Sequence, residues 1–208
     1  MQRGSRTVMK MIEYKLFPTL VAKFENVLFE DQCEQLISSI DTSDLKEYPV
    51  VLGNADTSFN KQFDILKQLP ETLALSLHTK INTCLHQYVS DYRCAPVEVA
   101  NTWITFQYPH SKLTRHTHPG STISGVLYLK TDEKSSPIYF YNPNVFTQFT
   151  SSLIPYSEYL NQSVKFIPKT GDLLIFPSWL GHGSDDEENM SDERIILSFN
   201  STLLSTEY

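Results

Sequence analysis

From Pro96 onward the chain is a succession of short runs rich in Val, Ile, Thr, Tyr and Phe, punctuated by Pro, Gly, Asn and Ser. β-branched and aromatic side chains suit a pleated surface, and turn residues recur here too often for a helix to extend. Candidate strands fall at 97–101, 103–108, 113–118, 123–130, 138–141, 164–167, 173–176 and 194–203. That is the number a jelly roll needs.

Before this region the periodicity is different. Tyr14 to Pro18 reads as a short edge strand ended by proline, and Cys33, Leu36, Ile37 and Ile40 then recur at helical spacing after a candidate cap at Asp31. Asp41 to Asn60 is polar and irregular. Pro70 then opens a longer helix with Leu73, Leu77, Ile81, Leu85, Tyr88 and Val89 on one face. Helices followed by strands predict an α+β fold in which the helices buttress a β-sandwich. With 208 residues the expectation is one domain over 11–208, a helical support region over 11–95 and a jelly-roll core over 96–204. Residues 1–10 read as a tag or upstream extension, Met9 and Met11 being alternative starts.

The formal charge of −7 is local, because Asp185, Asp186, Glu187, Glu188, Asp192 and Glu193 lie in one short stretch. The remainder is close to neutral and has no basic face to neutralise phosphates, which argues against nucleic-acid binding. Cys33, Cys84 and Cys94 are odd in number and lack C-x-x-C spacing. They read as reduced thiols in a cytoplasmic protein. No apolar run approaches a membrane span, and no glycine-rich phosphate loop opens a helix. The stretch from Asn142 to Ser163, with Phe146, Phe149, Tyr156 and Tyr159, is too long for a hairpin turn and reads as a lid or binding loop.

The chemistry is concentrated in three segments. In RHTHPGSTISGVLYLK, His116 and His118 are two apart and share one side of an extended chain, where two imidazoles can hold one metal ion. GDLLIFPSWLGHG supplies a third imidazole at His182, after a buried strand and a turn at Pro177. In ERIILSFNS, Arg194, Ile196, Ser198 and Asn200 share one strand face while Ile195, Leu197 and Phe199 share the other. An arginine among such neighbours is costly to bury unless it meets an anion. The distal carboxylate of a metal-chelating 2-oxo dicarboxylate is one such anion, and a nearby acid is the alternative.

Other candidates have plainer readings. His110 sits in the turn YPHSK as a solvated loop residue, and His78 and His86 are half-exposed helix histidines. Asp185 and Asp186 read as solvated acids. Trp103, Phe106, Phe140 and Tyr141 read as core or pocket wall.

Taken together, His116, His118, Pro119, Ser121, Ser124, Gly125, Val126, Tyr128 and Leu129, the run from Gly171 to His182, and the run from Glu193 to Asn200 resemble the 2-oxoglutarate/Fe(II) oxygenase superfamily. The branch is that of putative oxygenases with an H-x-H-P-x-S-x-x-S-G-V-x-Y-L core, and Trp103 in NTWITF is an upstream match. The resemblance covers residues 95 to 202 closely. It implies a double-stranded β-helix (jelly roll) with N-terminal supporting helices, Fe(II) held by His116, His118 and His182, and the co-substrate 2-oxoglutarate held by Arg194. Ser198, Asn200 and Tyr128 are its further candidates for co-substrate contact.

The implied activity is dioxygen-dependent hydroxylation of an aliphatic C–H bond in a small-molecule or peptidyl substrate, with release of succinate and CO2. Two departures stand out. The superfamily usually has Asp or Glu where His118 stands, and often a small polar residue where Ile196 stands. Three neutral imidazoles also suit zinc, or an oxygenase that uses no 2-oxo acid, so those alternatives and a non-catalytic metal-binding β-sandwich stay open. Substrate and oligomeric state are not legible.

Overall fold

The structure is a computed structural model that describes residues 12, 17–43, 45–46, 51–59, 64–144, 146, 161–184 and 186–204. Residues 1–10, most of the Tyr14 to Pro18 segment, the middle of the Asn142 to Ser163 loop, and Asp185 lie outside the described residues. Phe17 and Pro18 are described, and neither is in a strand.

The strands are β1 (Ala22–Phe24), β2 (Val51–Leu52), β3 (Ala55–Thr57), β4 (Val97–Gln107), β5 (Lys112–Leu113), β6 (Ile123–Lys130), β7 (Ile138–Tyr141), β8 (Ser163–Phe166), β9 (Leu173–Pro177), β10 (His182–Gly183) and β11 (Arg194–Leu203). They form a six-stranded antiparallel sheet, ordered β1-β9-β6-β11-β4-β3, faced by a three-stranded sheet ordered β10-β7-β8. β2 and β5 make a separate pair. The protein is a double-stranded β-helix of α+β class, with the helices on one outer face.

Helix α1 (Glu30–Ser38) starts one residue ahead of the expected cap. Gln32 reaches back to accept the Phe29 N–H at 3.1 Å, so Asp31 lies in the first turn, where its charge suits the helix dipole, and is not the cap. Helix α2 (Glu71–Tyr92) begins after Pro70, which needs no N–H partner, and ends on Arg93 with φ 53°. Its Leu77, Ile81, Leu85 and Tyr88 are buried, each contributing about 1.5–3 kcal/mol of apolar burial. They pack with Cys33 and Leu36 of α1 against Ile104, Phe106, Leu127, Leu173, Ile195, Leu197 and Phe199.

Strict alternation then sends the intervening residues to the other face of the large sheet. Val126, Tyr128, Leu174, Phe176 and Ile196 meet Ile138 and Phe140 of the small sheet. Gly125 permits this two-sided packing, since a Cβ there would lie 2.4 Å from Cε1 of Phe199.

Two strand expectations are corrected. The runs 97–101 and 103–108 are one continuous strand, β4. Asn101 and Thr102 do not break it, because Thr102 is buried with its hydroxyl on Asp64 and a register shift at Asn200/Ser201 absorbs the irregularity. The segment 113–118 is not a strand beyond Leu113. It continues as irregular extended chain, held by an isolated bridge at His116 and by His118 N–H on the Ser178 carbonyl at 2.9 Å. No helix among the described residues is long and apolar enough to cross a membrane.

Candidate metal and co-substrate site

His116, His118 and His182 converge, with one ring nitrogen from each within 4.8 Å of the others. The local chain explains how. The Pro119–Gly120 turn, with φ 84° at Gly120, reverses the chain just after His118. β10 carries His182 and pairs it with Phe140 on the small sheet.

Nδ1 of His116 donates to the Thr114 carbonyl at 2.8 Å, and Nδ1 of His182 to the Leu180 carbonyl at 2.8 Å. A carbonyl only accepts, so both rings carry their proton on Nδ1 and keep an Nε2 lone pair available. Nε2 of His118 and Nε2 of His182 stand 3.2 Å apart. Two nitrogens at right angles around one metal, each at about 2.1 Å, would be separated by about 3 Å.

The His118 and His182 rings are held neutral. Burial, helped by neighbouring His116, pushes the His118 imidazolium down to about 4, and burial holds His182 well below the ordinary histidine range. Aromatic walls supply that dry surrounding: Trp103 lies 5.7 Å from His118 between ring centroids, and Phe176 lies 4.6 Å from His182. Neutral imidazoles with exposed lone pairs are what a divalent transition metal takes.

These histidines line a cavity of about 300 Å³ together with Tyr128, Arg194, Ser198 and Asn200. That is the lower end of small-molecule pockets. Arg194 is 4% exposed; NH1 donates to Oε1 of Gln107, and among the described residues no carboxylate pairs with the guanidinium and Nε has no partner. Among the described residues no acid pairs with Arg194, and Glu193 pairs with Lys130 on the surface. The Arg194 guanidinium lies 5.3 Å from the Tyr128 ring centroid, and the buried Tyr128 hydroxyl has no hydrogen-bonding neighbour among the described residues but Arg194. Burial moves both groups toward their neutral forms, the Tyr128 phenol up to about 12 and Arg194 downward.

Residues 101–200 match the family model described as "Putative 2OG-Fe(II) oxygenase". Over this segment the chain is similar to 2OG-Fe(II) oxygenases. The family is one of oxidoreductases that use Fe(II) and 2-oxoglutarate. Among solved structures, SnoK of nogalamycin biosynthesis, described as a non-heme alpha ketoglutarate dependent carbocyclase, aligns with TM-score 0.65 at 14% identity over 89% of this chain and 80% of its own. HygX from Streptomyces hygroscopicus, with nickel and 2-oxoglutarate bound, aligns with TM-score 0.62 at 12% identity over 89% and 83%. The viral collagen prolyl hydroxylase of Paramecium Bursaria Chlorella virus-1, in its 2OG complex, gives 0.56 at 15% over 88% and 96%. Likeness at these identities is a likeness of fold. No curated protein matches this chain in sequence.

Within this segment the remaining candidates separate. Asn200 lies six residues from Arg194 on β11, about 20 Å along a strand, and its Oδ1 accepts from Ser124 at 2.8 Å. Ser124 in turn meets Ser178 at 2.8 Å, beneath the His118 turn. Ser198 faces the cavity between Trp103 and Val126 in register. Trp103 is pocket wall, Phe106 and Phe140 are core, and Tyr141 is instead half-buried, with Arg115 over its ring at 4.5 Å.

His110 is exposed and faces Glu188 at 3.2 Å, and His78 and His86 are exposed on α2, all away from the cavity. The acids after His182 are not merely solvated: Asp186 meets Tyr141, Glu187 holds Tyr139 and Lys165, and Glu188 holds Lys112.

Sequence reading missed Gln107, Thr105, Thr57 and Phe59, which also line the cavity. Polar residues alternating with Ile104 and Phe106 could have marked Gln107 and Thr105. Nothing in the irregular 41–60 segment marked Thr57, whose hydroxyl bonds Thr105 at 2.9 Å.

Proposed function

We propose that this protein is an Fe(II)- and 2-oxoglutarate-dependent dioxygenase that hydroxylates an aliphatic C–H bond of a small-molecule or peptidyl substrate. His116, His118 and His182 hold the metal, and Arg194 holds the distal carboxylate of 2-oxoglutarate. The observation that carries this reading is one cavity with three converging imidazoles and a buried arginine that has no carboxylate partner among the described residues.

Bound there, Fe(II) supplies dioxygen activation coupled to decarboxylation of 2-oxoglutarate to succinate and CO2. The protein's own part is positional. The Thr114 and Leu180 carbonyls fix the ring tautomers, Trp103 and Phe176 keep water from the histidines, and Arg194 orients the dicarboxylate by its far end. Because His118 stands where a carboxylate is usual, the ligand set adds no negative charge and favours an anionic co-substrate at the metal.

The test is anaerobic addition of Fe(II) and then 2-oxoglutarate to metal-free protein, watching for the visible charge-transfer band of a chelated 2-oxo acid. A band that is lost in His182→Ala and in Arg194→Ala supports the reading. Iron binding without a band favours a three-histidine oxygenase that uses no 2-oxo acid, the alternative that His118 itself suggests.

A further inference from the structure

Arg194 and Gln107 face one another across β11 and β4 in direct register, and Ile196, two residues along, faces Tyr128 on β6. Three adjacent strands therefore bring Gln107, Arg194 and Tyr128 to one end of the cavity. All three are at most 4% exposed; among the described residues Nε2 of Gln107 and Nε of Arg194 have no partner, and the Tyr128 hydroxyl has no hydrogen-bonding neighbour but the Arg194 guanidinium.

The orientation of the Gln107 amide follows from chemistry. Guanidinium nitrogens only donate, so the bond from Arg194 NH1 must end on Oε1, which leaves Nε2 with two N–H donors and nothing to receive them. Behind this residue Asn189, fully buried, donates through Nδ2 to the Gln107 carbonyl at 3.3 Å and to the Tyr108 carbonyl at 3.1 Å. The backbone that carries the amide is thus pinned. A buried donor is normally satisfied, and three groups able to donate at one end of a cavity call for an acceptor with several lone pairs. Among the described residues lining the cavity there is no Asp or Glu to play that part.

Resting on the function proposed above, we infer that Gln107 is a positioning and specificity residue for the distal carboxylate of the co-substrate. Its Oε1 holds Arg194 in place, and its Nε2 is a further donor to the anion. A neutral amide suits both tasks, because it aligns the guanidinium without cancelling its charge. A glutamate in its place would neutralise Arg194 and repel the carboxylate. Selection for a dicarboxylate over a 2-oxo acid that ends in a methyl group resides at this end of the cavity.

The experiment titrates 2-oxoglutarate and 2-oxobutyrate anaerobically into Fe(II)-loaded wild type, Gln107→Glu and Gln107→Met, following heat and the charge-transfer band. Gln107→Glu is expected to weaken 2-oxoglutarate by about tenfold or more while leaving 2-oxobutyrate, which has no distal carboxylate, within about threefold. Gln107→Met, which removes the donor without adding charge, should fall between wild type and Gln107→Glu. Fe(II) affinity should not change, and 2-oxoglutarate at one fixed concentration should raise the melting temperature of Gln107→Glu by less than that of wild type.

Unchanged 2-oxoglutarate affinity in both variants overturns the assignment, and so does an equal loss for both acids, which would mark a structural role only. A wild type that binds iron but neither acid overturns the proposed function itself, a result visible before any variant is compared.

Discussion

His116 and His182 are joined main chain to main chain: the His116 N–H donates to the His182 carbonyl at 2.9 Å, and the His182 N–H to the His116 carbonyl at 3.0 Å. Two residues far apart in sequence are thereby fixed with ring centroids 4.3 Å apart, before any metal is considered. Preorganisation of this kind means that the ligands need little reordering on binding.

The first prediction follows from that bridge. His182→Ala keeps the backbone pair and removes only the imidazole, so the fold should survive while Fe(II) or Co(II) affinity falls by at least about a hundredfold. Far-UV circular dichroism together with metal titration checks it; unchanged metal affinity would remove His182 from the site.

Gly125→Ala places a methyl group against the fully buried Phe199 ring, and against the Leu174 carbonyl at 3.0 Å. Overpacking at this contact should destabilise the protein by about 1–3 kcal/mol. Urea unfolding reads this as a lower midpoint with an unchanged slope.

Asn189→Ala leaves the buried carbonyls of Gln107, Tyr108 and Ser191 without their shared donor. A loss of about 1–3 kcal/mol of stability is expected. 2-Oxoglutarate binding should weaken as well, because the pinned strand end carries Gln107. Retained affinity in a destabilised variant would show that Asn189 supports the fold alone.

Burial pushes the Cys33 thiol up to about 11 in the folded protein, from its ordinary value of 9.0. The sign is that of a raised folded pKa: the stabilisation is complete below about pH 9 and is lost as pH climbs to about 11, since the unfolded chain gives up its proton first. The whole effect is at most about 3 kcal/mol. Cys33→Ala should therefore lower stability at neutral pH through the lost packing, yet flatten its decline between pH 9 and 11. An identical decline in the variant would exclude Cys33 as a source.

Much of this architecture is legible in local pattern. Leu77, Ile81 and Leu85 recur at helical spacing, and Ile195, Leu197 and Phe199 alternate with Arg194, Ile196 and Ser198, because side-chain direction depends on backbone period alone. The His-x-His pair, His182 and Arg194 stand out for a different reason: clustered imidazoles and a cation among apolar neighbours are chemically conspicuous wherever they stand. Short strands are a different matter. β3 and β10 are three and two residues long, and their residues become strand only because β4 and β7 lie beside them.

What the sequence by itself determined is therefore which residues turn to which face, and which of them carry chemistry. What only the tertiary structure decided is which partners meet: Gln107 across from Arg194, Tyr128 beside it, Asn189 behind it, and His116 bridged to His182. Those meetings depend on strand register and on the closing of one sheet over another. These are long-range choices that local propensity does not encode, because they are set by how the whole set of apolar faces can be buried at once.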